Sequence, residues 1–188
     1  ANLRDAWSRD IYVANGKEQN KKWSARFSYH GFRYIEITGL KNPTVEDFEA
    51  EVIFDNMPTV GQFECSNEVI NTVYRNAWWG LSSNYKGMPL DCPQRNERQP
   101  WLGDHAVGTW GETFMFDSGT MYAKWMEDIT EAQRADGCIP DVVPAFWNYY
   151  TDGMVWQSVL PIICEMLYEQ TGNIEPLKRN YNTMKRWL

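Results

Sequence analysis

The sequence predicts a mainly α-helical chain that carries an antiparallel β portion at its N-terminal end. In several short segments before residue 57, apolar and polar side chains alternate, as they do in strands with one buried face. After Met57-Pro58, apolar residues recur at spacings of three and four, which is the period of an amphipathic helix. We therefore predict two domains, residues 1–57 as the end of a β-sandwich and residues 58–188 as a helical domain.

Four short strands are predicted in the first domain. They are residues 11–13, 23–29, 32–38 and 48–54. Asn15-Gly16 is typical of a hairpin turn after the first strand, and His30-Gly31 separates the second from the third. Because four strands make half of a sandwich at best, we expect their partners to lie outside this chain.

Five helices are predicted in the second domain, over residues 68–82, 104–116, 119–135, 152–170 and 175–188. Ser66-Asn67-Glu68 can cap the first helix. Its predicted apolar face consists of Val69, Ile70, Val73, Tyr74, Ala77 and Trp78. The third helix should bury Met121, Tyr122, Trp125, Ile129 and Ala132, and Gly137 should end it. Alternating helices and loops are typical of stacked helical hairpins, in which the loops at one end build the site.

Composition argues against several classes of partner. A net charge of −7 disfavours nucleic acid and anionic lipid surfaces. No apolar run is as long as a membrane span. Cys65, Cys92, Cys138 and Cys164 are widely spaced, so we predict reduced thiols, no metal site and no cofactor.

The start of the chain and its compartment are a separate question. The chain begins at Ala1 without a methionine or a signal peptide, so we expect a mature or excised piece of a longer protein. The sequence leaves the compartment open, with a secreted or periplasmic location favoured over the cytoplasm.

Aromatic residues are abundant, with ten tryptophans, ten tyrosines and eight phenylalanines. A large aromatic core would explain them, and composition alone favours that interpretation. A carbohydrate site is the alternative, because ring faces stack on the C–H faces of sugars. Trp101, Trp147 and Trp156 could stack in this way or lie in the core. Trp147 favours a binding role because it lies in an aromatic loop.

The segment from Asp91 to Asp104 is the strongest candidate for a site. It contains two prolines, two arginines, three carboxylates and a tryptophan, and no helical or strand period fits it. Pro93 and Pro100 each disfavour helix at the preceding residue. We therefore predict an ordered loop, and ordered loops on rigid elements often carry catalytic groups.

Within this loop, Glu97 is the best candidate for a general acid. An aromatic neighbour such as Trp101 would keep its carboxyl protonated, whereas Arg95 and Arg98 would keep it ionised. The alternative is an ion pair that holds the loop in place.

Asp91 and Arg95 have the chemistry to bind sugar hydroxyls, although they could also pair with each other. Asp104 is predicted to cap the next helix, and His105 to be structural.

The same loop carries a resemblance to a known family. Asp91-Cys92-Pro93-Gln94-Arg95-Asn96-Glu97-Arg98, followed by Trp101 and Gly103-Asp104, resembles the signature of the α-L-rhamnosidases of glycoside hydrolase family 78. The flanking segments that agree with it are residues 29–34, 61–67, 124–129, 133 and 136–140. The likeness extends from about Trp23 to the end of the chain.

The resemblance implies a partial (α/α)6 toroid after the last strands of a β-sandwich. It also implies inverting hydrolysis of terminal α-L-rhamnose in plant or microbial glycans and glycosides. Carried over by position, Glu97 is the general acid, and Asp91, Arg95, Trp101 and Trp156 line the rhamnose pocket. The partner implied is a carbohydrate substrate, and no cofactor is needed.

The chain departs from the family pattern at Asn96, Gln99-Pro100 and Gln157-Ser158. The family's general base is expected beyond Leu188, so we expect the 188 residues alone to be inactive. Two alternatives stay open. One is a sugar-binding homologue without catalysis, and the other is a toroid glycosidase for a different terminal sugar.

Overall fold

The computed structural model describes residues 3–17, 21–151 and 153–188. Its elements are a 3₁₀ turn at Val45–Asp47 and six helices: α1 (Glu68–Ser83), α2 (Leu102–Glu112), α3 (Gly119–Glu131), α4 (Met154–Gln157), α5 (Val159–Thr171) and α6 (Glu175–Trp187). The chain divides into two compact units. The N-terminal unit consists of Ala1–Glu51 and Cys92–Arg98, and the helical unit consists of Val52–Asp91 and Gln99–Leu188. The mainly helical character predicted from the sequence is confirmed.

The predicted antiparallel strands are not formed in the described part of residues 1–57. Backbone hydrogen bonds described within residues 3–51 are local, such as those from Ala6 N to Leu3 O and from Phe48 N to Val45 O. Side chains expected on a buried face are exposed, with Trp23 at 48% and Phe27 at 99%. A strand is held by bonds to a neighbouring strand and by burial of one face, and these segments have neither here.

Helix α1 begins where its capping residue predicts. The Asn67 side chain accepts hydrogen bonds from Val69 N at 3.0 Å and from Ile70 N at 3.4 Å, which satisfies two free amides of the first turn. The first part of its predicted apolar face is exposed, at 72% for Val69 and 61% for Val73, whereas Trp78 is partly buried against Phe116. The helical period therefore predicted the helix correctly, but only the second part of the stripe is covered.

Three other predicted helix boundaries need correction. Helix α2 begins at Leu102, so Asp104 lies in its first turn and Trp101 occupies the cap position. The predicted helix over residues 152–170 divides into α4 and α5 at Ser158, and its predicted start, Asp152, lies outside the described residues. Helix α3 ends at Glu131, earlier than predicted, and the chain turns at Gly137 with φ +93°.

Helices α2, α3, α5 and α6 pack around one hydrophobic core. Its buried members are Leu102, Tyr122, Trp125, Met126, Ile129, Ile139, Val143, Val159, Leu160, Ile163, Cys164, Met166 and Leu167. Of the predicted inner face of α3, Tyr122, Trp125 and Ile129 are fully buried, whereas Met121 and Ala132 are partly buried. In the described part of the chain, no helix has both the length and the apolar character required to cross a bilayer.

Candidate active site

The loop from Asp91 to Asp104 is divided between the two units. Cys92–Arg98 belongs to the N-terminal unit, and Asp91 and the residues from Gln99 onward belong to the helical unit. The prediction of a loop without helix or strand is correct as far as Trp101, where α2 follows. Each part is described below within its own unit.

Glu97 is held by two guanidinium groups of the N-terminal unit. Its Oε2 lies 2.7 Å from Arg4 Nη1 and 3.1 Å from Arg95 Nη2, and its side chain is 9% exposed. The sequence foresaw Arg95 as a neighbour but not Arg4, which is distant along the chain. Each guanidinium supplies a charge-assisted contact that holds this side chain in place.

Cys92 and Arg98 stabilise the turn that carries Glu97. The Cys92 sulfur accepts hydrogen bonds from Arg95 Nε at 3.1 Å and from Arg98 N at 3.4 Å. The Arg98 guanidinium donates to Tyr29 O at 2.7 Å and lies 3.9 Å from the centre of the Tyr29 ring. Burial raises the pKa of the Tyr29 hydroxyl, although the charge of Arg98 acts in the opposite direction. Arg98 is therefore a structural clamp that the sequence did not identify.

Asp91 closes the base of the loop in the helical unit. Its Oδ1 accepts a hydrogen bond from Gln99 N at 2.6 Å, and its own N donates to Gln99 O at 2.9 Å. These bonds bring the two ends of the loop together. Asp91 thus has a structural role beside the sugar-binding role that the sequence predicted.

Trp101 and Trp147, two of the three tryptophans that the sequence offered as ring surfaces for a sugar, contact each other, and Tyr149 joins them. The ring centroids of Trp101 and Trp147 are 6.1 Å apart, and Trp101 and Tyr149 stack at 5.8 Å with 18° between their planes. Trp147 and Tyr149 are 5.7 Å apart. We call these three rings the aromatic platform.

The aromatic platform is fixed by backbone contacts. Leu102 N donates to Asp141 O at 2.9 Å, and Val143 N donates to Pro100 O at 3.2 Å. Asp141 N also donates to Tyr149 O at 2.8 Å. The loop after α3 therefore lies along the start of α2, which brings residues distant in sequence into ring contact.

Trp156 lies on α4 and packs against the start of α2. A Cβ placed on Gly103 would lie 2.5 Å from Cε2 of the Trp156 ring, so only glycine permits this contact. Trp156 is 41% exposed and is therefore not a core residue. The glycine in the predicted signature thus has a packing function, namely to admit an indole.

Gln157, one of the departures from the family pattern, is buried and fully engaged. Its Nε2 donates to Thr151 O at 2.6 Å, and its Oε1 accepts from Trp187 Nε1 at 2.8 Å. Its amide therefore ties the loop before α4 to the end of α6. This side chain has a structural function in the helical unit.

A buried polar cluster around Glu112 was missed by the sequence reasoning. Glu112 Oε2 accepts hydrogen bonds from Tyr85 Oη at 2.7 Å and from the Tyr122 hydroxyl, and Oε1 lies 3.9 Å from His105 Nδ1. His105 is buried against Trp125, as its predicted structural role requires. His105 and Glu112 are seven residues apart on α2, a spacing that could have revealed their shared face.

Two cavities in the helical unit involve other residues. One, of about 320 Å³, is lined by Phe114, Asp117 and Gln170 among others. The other, of about 500 Å³, includes Asp55 and Lys124. Neither contains a residue that the sequence predicted for the site.

Comparisons with known proteins place the chain among one group of enzymes. Residues 58–188 match the model of the bacterial alpha-L-rhamnosidase 6 hairpin glycosidase domain, and residues 1–54 match that of the bacterial alpha-L-rhamnosidase concanavalin-like domain. An alpha-L-rhamnosidase of Formosa agariphila is 38% identical over 100% of this chain and 20% of its own length. One of Streptomyces avermitilis is 31% identical over 100% of this chain and 18% of its own length. The chain thus spans about a fifth of the length of the curated relatives it matches.

Solved structures agree with these matches. The alpha-L-rhamnosidase from Dictyoglumus thermophilum superposes with a TM-score of 0.75 at 36% identity, over 77% of this chain and 16% of that one. The Streptomyces avermitilis enzyme complexed with L-rhamnose gives a TM-score of 0.68 at 28% identity, over 70% of this chain and 13% of that one.

Proposed function

Because the chain belongs to the bacterial α-L-rhamnosidase family, we propose that the whole protein removes terminal α-L-rhamnose from plant or microbial glycans and glycosides. The observation that carries the proposal is the match of the whole chain to rhamnosidases, at 38% identity for one relative. The chain contributes the loop from Asp91 to Asp104 to this activity. The proposed reaction is inverting hydrolysis, in which two carboxyl groups act on opposite sides of the sugar.

In this mechanism Glu97 is the general acid. It donates its proton to the glycosidic oxygen as the bond to the anomeric carbon breaks, while a second carboxylate removes a proton from the attacking water. Asp91 and Arg95 bind the rhamnose hydroxyls, and Trp101 and Trp156 offer ring faces to the sugar. Trp147 extends this ring surface. The acid role requires the Glu97 carboxyl to turn toward the glycosidic oxygen, and its contacts with Arg4 and Arg95 would have to open for this.

We also propose that, in the whole protein, this region is divided into two domains. Residues 1–57 would form the end of a β-sandwich, with the alternating segments pairing as strands, and residues 58–188 would form the first part of an (α/α)6 toroid. The concanavalin-like match over residues 1–54 and the six-hairpin match over residues 58–188 support this division. Amide hydrogen exchange of the whole protein tests it. Protected amides within residues 23–29 and 32–38 support the strands, and full exchange there would contradict them.

The test of the acid role is Glu97→Gln in the whole protein. A general acid contributes about 10²- to 10⁴-fold, and its loss matters most for a poor leaving group. We therefore expect hydrolysis of methyl α-L-rhamnoside to fall by at least about 100-fold, and hydrolysis of a nitrophenyl rhamnoside to fall less.

The matched control is Glu49→Gln, because the Glu49 side chain lies in the same unit and is 75% exposed. It should leave both rates unchanged. Equal, near-wild-type rates for Glu97→Gln on both substrates would refute the assignment of Glu97.

One observation favours a second candidate function. The two ion pairs of Glu97 are the contacts expected if the loop binds a sugar without catalysing its hydrolysis. In that case calorimetry should detect binding of L-rhamnose to the whole protein, but the protein should release no rhamnose from any rhamnoside. Release of rhamnose that depends on Glu97 excludes this alternative.

A further inference from the structure

One face of Trp101 is covered within the aromatic platform. Tyr149 stacks on it with 18° between the ring planes and 5.8 Å between centroids, which is ring contact and leaves no space for a sugar between them. A sugar at Trp101 must therefore use its other face or its edge. Tyr149 and Trp147 extend the ring surface beyond the position of such a sugar.

The alternation of residues 147–150 explains why these rings point together. Asn148 and Tyr150 face the turn after α3. There Asn148 Oδ1 accepts from Arg134 Nη2 at 3.1 Å, and the Arg134 guanidinium lies 3.6 Å from the centre of the Tyr150 ring. The Tyr150 hydroxyl donates to Ala132 O at 2.8 Å. The side chains at 147 and 149 contact Trp101 instead. Arg134 is thus a positioning residue, because it holds Asn148 and Tyr150, which alternate with the platform residues Trp147 and Tyr149.

Three polar side chains of this segment already have partners. Asn148 and Tyr150 bond as described, and the Thr151 hydroxyl donates to the Asp141 carboxylate at 2.8 Å. Exposed ring surface is left beside them, with Tyr149 at 47% and Phe146 at 73%. A second sugar would need several polar partners, whereas a flat aromatic group needs ring faces. The chemistry of the platform therefore suits an aromatic ligand.

We propose that the aromatic platform binds the departing group of the substrate and selects rhamnosides whose leaving group is an aromatic ring system. Tyr149 and Trp147 contact that group, and Arg134 positions them. The inference rests on the proposed function, because a departing group exists only if the whole protein cleaves glycosides.

The experiment compares two substrates of the whole protein, 2-naphthyl and methyl α-L-rhamnoside. Tyr149→Ala should lower kcat/KM for the naphthyl substrate about tenfold, or about 1.4 kcal/mol, and leave the methyl substrate within about twofold. Tyr149→Phe, which keeps the ring, should retain the wild-type ratio of kcat/KM between the naphthyl and the methyl substrate. Arg134→Met should lower the ratio as Tyr149→Ala does, because the positioning contacts are lost.

The matched control is Tyr168→Ala on α5, since Tyr168 is 48% exposed, almost as much as Tyr149. It should not change the ratio. If Tyr149→Ala fails to fold, Tyr149→Leu keeps the apolar volume without the ring and should also lower the ratio. An unchanged ratio, or an equal loss on both substrates in a folded variant, overturns the proposal.

Failure of the proposed function is distinguishable from failure of the platform. If the wild-type protein cleaves neither substrate, the proposed function is wrong, and equilibrium binding of the same two compounds decides the ligand preference of the platform. Tighter binding of the naphthyl compound that Tyr149→Ala removes supports an aromatic ligand. Equal binding of both compounds overturns it.

Discussion

Replacing Glu112 with glutamine should destabilise the helical unit by about 2 kcal/mol at neutral pH. The Glu112 carboxylate accepts hydrogen bonds from the hydroxyls of Tyr85 and Tyr122, and it is 5% exposed. A hydrogen bond to a charged group contributes about 1 kcal/mol more than a neutral one. Two such bonds give the expected magnitude, because the amide oxygen of glutamine can still accept from the tyrosines.

The effect should depend on pH in a definite direction. Burial alone would raise the pKa of Glu112, but the His105 ring and the hydroxyls of Tyr122 and Tyr85 outweigh it, so that the pKa is lowered. A carboxyl whose pKa is lower in the folded protein than in the unfolded protein stabilises the fold at pH values above its unfolded pKa. This contribution is lost as the pH falls through the pKa of the folded protein.

Urea unfolding of the wild type and of Glu112→Gln, followed by tryptophan fluorescence, measures the difference. The difference in the free energy of unfolding should be largest near neutral pH. It should decrease at pH values below 4.5, the ordinary pKa of a glutamate carboxyl. Glu165→Gln, at an exposed position of α5, is the control and should change little. A difference that is absent at neutral pH, or the same at acid pH, would refute the assignment of a buried ionised carboxylate.

Two further predictions concern packing and burial. Gly103→Ala gains up to about 1 kcal/mol of helix propensity, but its Cβ would lie 2.5 Å from the Trp156 ring. Overpacking costs about 1–3 kcal/mol, so we expect a lower Tm, whereas Gly111→Ala in the same helix, with open space around it, should not lower it. Burial raises the pKa of Cys164 to about 12, so its thiol should resist a thiol reagent at pH 8 until the protein unfolds. Labelling of Cys164 in the folded protein, detected by mass spectrometry, would contradict this.

The candidate site was only partly predictable from the sequence. The loop and its lack of regular structure followed from its prolines and charges. The aromatic residues marked Trp101 and Trp147 as candidate ring surfaces but did not predict their contact. The contact of Glu97 with Arg4 did not follow from the sequence either, because Arg4 is far from it along the chain and no spacing rule relates the two. The same applies to Tyr149, whose position depends on how the loop after α3 packs along α2.

The sequence also overestimated two features of burial. The alternation of apolar and polar residues before residue 57 predicts strands. Such alternation only places the apolar side chains on one face, and a strand forms when another strand hydrogen-bonds to it. The apolar stripe of α1 predicted burial in the same way, although Val69 and Val73 are exposed. A pattern defines which side chains share a surface, whereas burial requires a second surface to cover it.

By itself, the sequence determined that the second domain is helical and that Asn67 caps its first helix, because these features depend on residues within a few positions of one another. It also indicated the family, through motifs that extend from about Trp23 to the end of the chain. Only the tertiary structure decided that Arg4 contacts Glu97, that Trp156 lies on Gly103 and that a buried carboxylate joins α2 to α3. Such contacts connect residues distant in sequence, and their geometry is set by packing rather than by local spacing.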